Sequence, residues 1–342
     1  MAPLLRIQCS AALVSRPPEK AMPTGASGYL PEHTLAAYEL GIRQGADAFE
    51  IDVVPTRDGV LIARHENDLS GSTDIAQHAA FADRRTTKTV NGHEITGWFS
   101  EDFTTEEIKE LRCVEPLPGR RSAAHDGQYA VPTLREVLDL RASLSVELDR
   151  PVGLKLEVKT PEYFTSCRLP IEDLLIPELT RAGVKEAGSP VEVMTFELHH
   201  LRMLRTLSVH AGMVFLVEED LDLPVPGEGG ATYGDLLTPG GLARVHDTAT
   251  AIGPGRAVLF PPSDSGALGE PSRLFDRAHE IGLRVDCWTF RAENHYLPTD
   301  FRVGQHPATL GDMAGLVAAY VGAGLDTVIT DHPDRAGHPP RT

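Results

Sequence analysis

From residue 133 onward, short apolar runs alternate with segments whose apolar residues recur every three or four positions. The runs at 152–158, 191–195, 213–217, 257–260, 283–289 and 327–330 read as strands. The segments at 171–182, 198–206, 240–251, 272–281 and 312–323 read as helices. Earlier in the chain, Thr34 caps a helix over 35–44 that stops at Gly45. A strand follows at 47–54, and Thr56-Arg57-Asp58-Gly59 turns the chain into a returning strand at 60–64. Thr133-Leu134-Arg135-Glu136 has the spacing of a capping box and opens a helix that runs to about Leu144.

This alternation implies a parallel sheet, and 342 residues suit an α/β fold of the (β/α)8, or TIM-barrel, type. Between 68 and 130 the periodicity fails around one short helix at 105–111, so this stretch reads as a small insertion after the early hairpin. Seven parallel strands can be counted, and the eighth should precede the helix at 35–44. The residues there, Ser15-Arg16-Pro17-Pro18-Glu19-Lys20-Ala21-Met22-Pro23, make a poor central strand, because proline removes ladder donors and the charges would be buried. The first strand is therefore expected to be degraded or atypical, unless the apolar run at 11–14 substitutes for it. The expected organisation is an atypical N-terminal segment at 1–22, a barrel over 23–336 and a tail at 337–342.

The strand at 47–54 carries the most informative residues. Phe49, Ile51 and Val53 share one face, while Glu50 and Asp52 share the other. Two carboxylates on a face that folding fills with aliphatic groups are costly to bury unless they are paired or bound to a cation. In 153–159, Lys155, Glu157 and Lys159 likewise share a face. The three acids either converge on one divalent cation or pair with Lys155, Lys159 or an arginine as a buried ionic network; spacing alone is consistent with both.

Bulk properties narrow the partners. A formal charge of −17 argues against nucleic acid or an anionic membrane surface, each of which needs a basic face. No run is long enough to span a membrane. Cys9, Cys113, Cys167 and Cys287 lie far apart with no C-x-x-C pair, as in a cytosolic-type protein with free thiols. The first fourteen residues are faintly signal-like but are interrupted by Arg6 and Gln8. A cytoplasmic location is favoured, and secretion stays open if the N-terminus is misread. The oligomeric state is not legible.

Gly25-Ala26-Ser27-Gly28-Tyr29-Leu30-Pro31-Glu32-His33-Thr34, then Gly45-Ala46-Asp47, Glu50-Ile51-Asp52, Thr56-Arg57-Asp58-Gly59 and His65-Glu66 form a recognisable series. Leu156-Glu157-Val158-Lys159-Thr160-Pro161, Trp288-Thr289-Phe290-Arg291-Ala292-Glu293-Asn294 and Thr330-Asp331-His332-Pro333 continue it. In order and spacing, this series resembles the glycerophosphodiester phosphodiesterases over roughly 25–336. The resemblance implies a TIM barrel with an insertion after the early hairpin. It also implies metal-dependent hydrolysis of a small-molecule glycerophosphodiester to glycerol 3-phosphate and an alcohol. Glu50, Asp52 and Glu157 would hold one divalent cation, Ca2+ or Mg2+, consistent with the preference of hard cations for oxygen ligands. His65 matches one of the family's two catalytic histidines, and Lys159 a lysine beside the phosphate. Lys155, Trp288 and Arg291 are weaker candidates for contact with substrate, and His33 is expected to be structural.

The chain departs from the family at one place. Where members carry His-Arg-Gly at the end of the first strand, this chain has Pro23-Thr24-Gly25, with neither an imidazole nor a guanidinium. Either the start of the gene is misread, or the barrel has an altered first strand and impaired activity; the intact acids, His65 and Lys159 favour the first reading. The alternatives in function are a catalytically inactive phosphodiester-binding relative and a phospholipase D-type lyase acting on lysolipids.

Overall fold

The structure, a computed structural model, describes residues 19–22 and 24–337; the expectations for 1–18, for Pro23 and for 338–342 fall outside the described residues. The strands are β1 (Glu19–Met22), β2 (Ala48–Pro55), β3 (Leu61–Ala63), β4 (Thr86–Val90), β5 (His93–Gly97), β6 (Gly153–Val158), β7 (Val191–Thr195), β8 (Gly212–Val217), β9 (Ala251–Pro254), β10 (Arg284–Phe290) and β11 (Thr327–Thr330). Strands β1, β2, β6, β7, β8, β9, β10 and β11 pair in parallel in that order, and β11 pairs back with β1, which closes an eight-stranded barrel. Helices lie between successive strands, as in a TIM barrel. None of the described helices is long and apolar enough to cross a membrane.

Local sequence sets the helix starts. Thr34 accepts a hydrogen bond from Ala37 N at 3.1 Å and opens Leu35–Arg43. Both halves of the capping box between Thr133 and Glu136 are made at the start of Leu134–Glu147. The early hairpin forms as read, with β3 antiparallel to the upper end of β2. The insertion holds the β4–β5 hairpin and the helix Thr105–Glu110, and Ser100 Oγ donates to Pro55 O at 2.9 Å to tie it to the end of β2.

Two strand expectations are corrected. The first strand is present at Glu19–Met22, paired with β11 through Glu19, Lys20 and Ala21 and with β2 through Ala21 and Met22. Pro17, Pro18 and Pro23 flank this short segment, so they remove none of its own donors. Its charges find partners: Glu19 lies 3.6 Å from Lys155 Nζ, and Lys20 Nζ donates to Gly337 O. The strand expected at 257–260 instead lies at β9, and residues 257–259 sit in the short helix Arg256–Leu259. The sequence Ala-Ile-Gly-Pro gives a weak strand signal, yet close packing requires the glycine: a Cβ on Gly253 would sit 2.6 Å from a Leu216 methyl. The apolar run after it faces outward, with Phe260 against Tyr320 at 4.4 Å between ring centroids.

The barrel interior is charged toward the N-terminal ends of its strands. Lys155, only 1% exposed, binds Glu192 and lies 2.8 Å from Asp286, while Arg284 holds Glu192 at 2.6 Å. Ala21, Ala48 and Ile329, with Met194, Val214, Leu216 and Ala251, fill much of the remaining interior. Removing the Lys155 ammonium would take the close partner from the fully buried Asp286 and leave Glu192 to Arg284 alone. Lys155→Ala is therefore expected to cost about 3–5 kcal/mol of stability, measured by denaturant unfolding. A variant as stable as the parent would contradict this account of the barrel floor.

Candidate metal centre and active site

Strand β2 is buried along its whole length, and its alternation turns Glu50 and Asp52 into the barrel. Register with β6 sets Asp52 directly beside Glu157. One carboxylate oxygen from each of Glu50, Asp52 and Glu157 lies within 4.8 Å of the others, and all three residues are buried. Thr24 N donates to Glu50 Oε2 at 2.9 Å, and His33 Nε2 contacts Asp52 Oδ2 at 2.9 Å. Lys159 Nζ lies 2.8 Å from Glu157 Oε1 and 3.5 Å from Asp52 Oδ1.

Electrostatics test whether this group suits a cation. Burial, reinforced by the charges of Asp52 and Glu157, holds Glu50 well above the ordinary carboxylate range. Burial also pushes Glu157 up to about 8, despite Lys159. Asp52 alone is held low, because Lys159 and His33 outweigh its burial. One ammonium thus faces three carboxyl groups, and at neutral pH Glu50 and Glu157 hold protons in place of the positive charge the site lacks. Asp52 Oδ1 is buried without a hydrogen bond. A buried oxygen without a hydrogen bond, among oxygen-only donors that outnumber the one ammonium beside them, fits a hard divalent cation able to displace the protons. A second group, Glu162, Glu197 and His199, also comes within 4.8 Å, but Glu162 is exposed and Glu197 already accepts from Glu162 N at 3.1 Å.

The acids open into a cavity of about 580 Å³ at the C-terminal ends of the strands, where Thr24, His65, Lys159, Arg121, Trp288 and Arg291 also line the wall. His65 follows β3, is half-exposed and contacts Glu66 Oε1 through Nδ1 at 2.7 Å. The Lys159 charge and burial press this ring toward neutrality, yet the Glu66 hydrogen bond and the charges of Asp52 and Glu66 raise it to about 8. Trp288 donates from Nε1 to Gly253 O at 2.7 Å and meets Phe196 edge-on at 5.7 Å. Arg291 binds Asp331 at 2.9 Å and lies over the Tyr296 ring at 4.8 Å. The structure therefore brings seven of the eight candidates together around one cavity. Lys155 is not among them; it lies in the ionic floor described above.

Arg121 was not singled out in the sequence. It reaches from the insertion to Glu293 at 2.7 Å, Asp331 at 2.5 Å and Ser27 O at 3.1 Å, and so joins the insertion to three barrel loops. Against the penalty of burial, Arg121 and Arg291 hold Asp331 down to about 2. No local signal marks Arg121, because its partners come from distant parts of the chain.

The model of the glycerophosphoryl diester phosphodiesterase family matches residues 24–335. The chain belongs to that family. It is 29% identical over 289 residues to glycerophosphodiester phosphodiesterase GDPD6 of Arabidopsis thaliana, covering 81% of this chain and 75% of the relative. It is 25% identical over 334 residues to the glycerophosphodiester phosphodiesterase of Treponema pallidum, covering 91% and 88%. Among solved structures it resembles the Oleispira antarctica phosphodiesterase in complex with the product sn-glycerol-3-phosphate, with a TM-score of 0.54, 17% identity and coverage of 93% and 94%. That last likeness supports the glycerophosphodiester phosphodiesterase barrel as a fold.

The raised carboxylates predict a pH dependence of cation binding. A cation must displace the proton that Glu157 retains below about pH 8, so affinity should weaken as pH falls from 8.5 to 6.5. The expected loss is about tenfold per pH unit for each proton displaced. Calorimetry in buffers of different ionisation heat reads the proton release directly. An affinity constant across that range would refute the assignment of raised carboxylates to this site.

Proposed function

We propose that this chain hydrolyses small glycerophosphodiesters to glycerol 3-phosphate and an alcohol, using one divalent cation, Ca2+ or Mg2+, held by Glu50, Asp52 and Glu157. The observation that carries this reading is the convergence of three buried acids, Lys159 and His65 on one cavity of a family-matched barrel. A bound divalent cation would supply Lewis-acid polarisation of a phosphate oxygen.

The chain's own residues supply the rest. Lys159 stays charged because Asp52 and Glu157 outweigh its burial, so its ammonium offsets the negative charge that builds on the phosphoryl oxygens. His65 is the proton carrier: half-exposed and oriented through Nδ1 by Glu66, it presents Nε2 for transfer to or from an ester oxygen. Trp288 and Arg291 form parts of the cavity wall available to the organic portion of the diester.

Phosphodiester cleavage of this kind uses a proton carrier on each side of phosphorus. Thr24 lines the cavity where the family resemblance expects an arginine, and Pro23, outside the described residues, occupies the position of the other histidine. We therefore infer that turnover by this exact chain is impaired. Its hydrolysis of glycerophosphocholine, followed by release of glycerol 3-phosphate, should rise about 10²–10⁴-fold in the Pro23→His, Thr24→Arg double variant. Adding Glu157→Gln to that variant should remove the gain. Equal activity of the original and restored forms would refute the impairment, and formation of a cyclic phosphate would instead indicate the lyase chemistry.

A further inference from the structure

His33 sits at the entry to the helix Leu35–Arg43, fully buried and in the left-handed region at φ 53°. Its main chain is fixed on both sides: its N–H donates to Thr24 O at 2.8 Å, and its carbonyl accepts from Arg64 Nη2 at 3.2 Å. Arg64, itself fully buried, also donates to Glu32 O at 2.9 Å and to Ser72 O at 3.1 Å. A non-glycine residue adopts this backbone only where its surroundings over-determine it. Here the result is an aimed imidazole. Nε2 lies 2.9 Å from Asp52 Oδ2, and Nδ1 lies 2.7 Å from the Tyr38 hydroxyl.

The hydrogen-bond chemistry gives the direction of this chain. An ionised carboxylate only accepts, so Nε2 carries the hydrogen and donates to Asp52. In the neutral ring Nδ1 then accepts from the Tyr38 hydroxyl, which holds the tautomer. With Oδ2 held by His33, the other Asp52 oxygen is the freer one: Oδ1 is buried, has no hydrogen bond and lies 3.5 Å from the Lys159 ammonium. We propose that His33 is a positioning residue for the metal centre, with Tyr38 behind it, fixing the orientation in which Asp52 offers a single oxygen to a divalent cation. This inference rests on the divalent-cation reading given above. It assigns His33 no contact with substrate.

Titration calorimetry with CaCl2 or MgCl2 into the metal-free protein tests it without any turnover. His33→Leu fills the buried position with an apolar side chain that has no donor, and should bind the cation about 10- to 100-fold more weakly. His33→Gln, whose side-chain amide can donate to Asp52, should recover most of that loss. Tyr38→Phe removes one hydroxyl and should weaken binding by a smaller factor. In the parent protein, the ring nitrogen spectrum of ¹⁵N-labelled histidine should show the Nε2–H tautomer at His33, and its resonance should move when cation is added. Should His33→Leu fail to fold, the Tyr38→Phe affinity and the His33 resonance decide the matter. A folded His33→Leu that binds as tightly as the parent, or a His33 resonance unmoved by a cation that does bind, overturns the positioning role. A parent protein that takes up no cation overturns the divalent-cation reading itself.

Discussion

Three carboxylates held within 4.8 Å of one another at the end of a barrel constrain everything around them. At an effective dielectric of about 20, each fully ionised pair at that separation repels by on the order of 3 kcal/mol. Lys159 relieves part of this, and the Thr24 N–H and His33 Nε2 each address one acid. The loop that supplies the last two groups holds Thr24 at φ 54° and His33 at φ 53°. Threonine is β-branched, so its left-handed conformation is an outlier with a cost of about 1–3 kcal/mol. The barrel sustains that strain because Thr24 O and His33 N are themselves bonded to each other at 2.8 Å. Strain, burial and repulsion therefore meet at one place, the concentration of cost that marks a functional site.

The two lysines of β6 and its extension show how depth decides role. Lys155 and Lys159 share a strand face, and both are raised by neighbouring acids against their burial. Lys155 faces Glu192, Asp286 and Glu19, so its charge is consumed within the barrel floor. Lys159 faces the two acids Asp52 and Glu157 at the open end and borders the cavity. Period-two alternation assigns both residues to the interior without distinguishing floor from mouth. That difference depends on the strands packed opposite them.

Much of the fold was legible where short-range rules act alone. The Thr34 and Thr133 caps, the hairpin after β2 and the apolar strands β6, β7 and β8 follow from propensity, capping and periodicity. The failures share a cause. β1 and β9 are four-residue strands whose own residues favour little, and they form because neighbours on both sides offer complete ladders. The same limit applies to the site. Glu50, Asp52 and Glu157 stand out as acids in apolar strands, whereas Arg121 is one arginine in an irregular insertion. Its importance appears only when Glu293 and Asp331, 172 and 210 residues away, are brought to it.

Position 24 shows how main chain and side chain can carry separate tasks beside the three acids. What Thr24 gives the fold is main chain: an N–H to Glu50 and a carbonyl to His33 N–H. Any residue other than proline can supply both. The side chain at this position is thus free of the task of holding the acids, and the β-branched threonine supplies the same two main-chain groups at the cost in backbone strain noted above. A change of side chain at position 24 would alter the charge of the cavity without releasing Glu50 or disturbing the His33–Asp52 contact. The atoms that hold Glu50 and the atoms that face the cavity thus belong to different parts of the same residue, and the two tasks can vary independently.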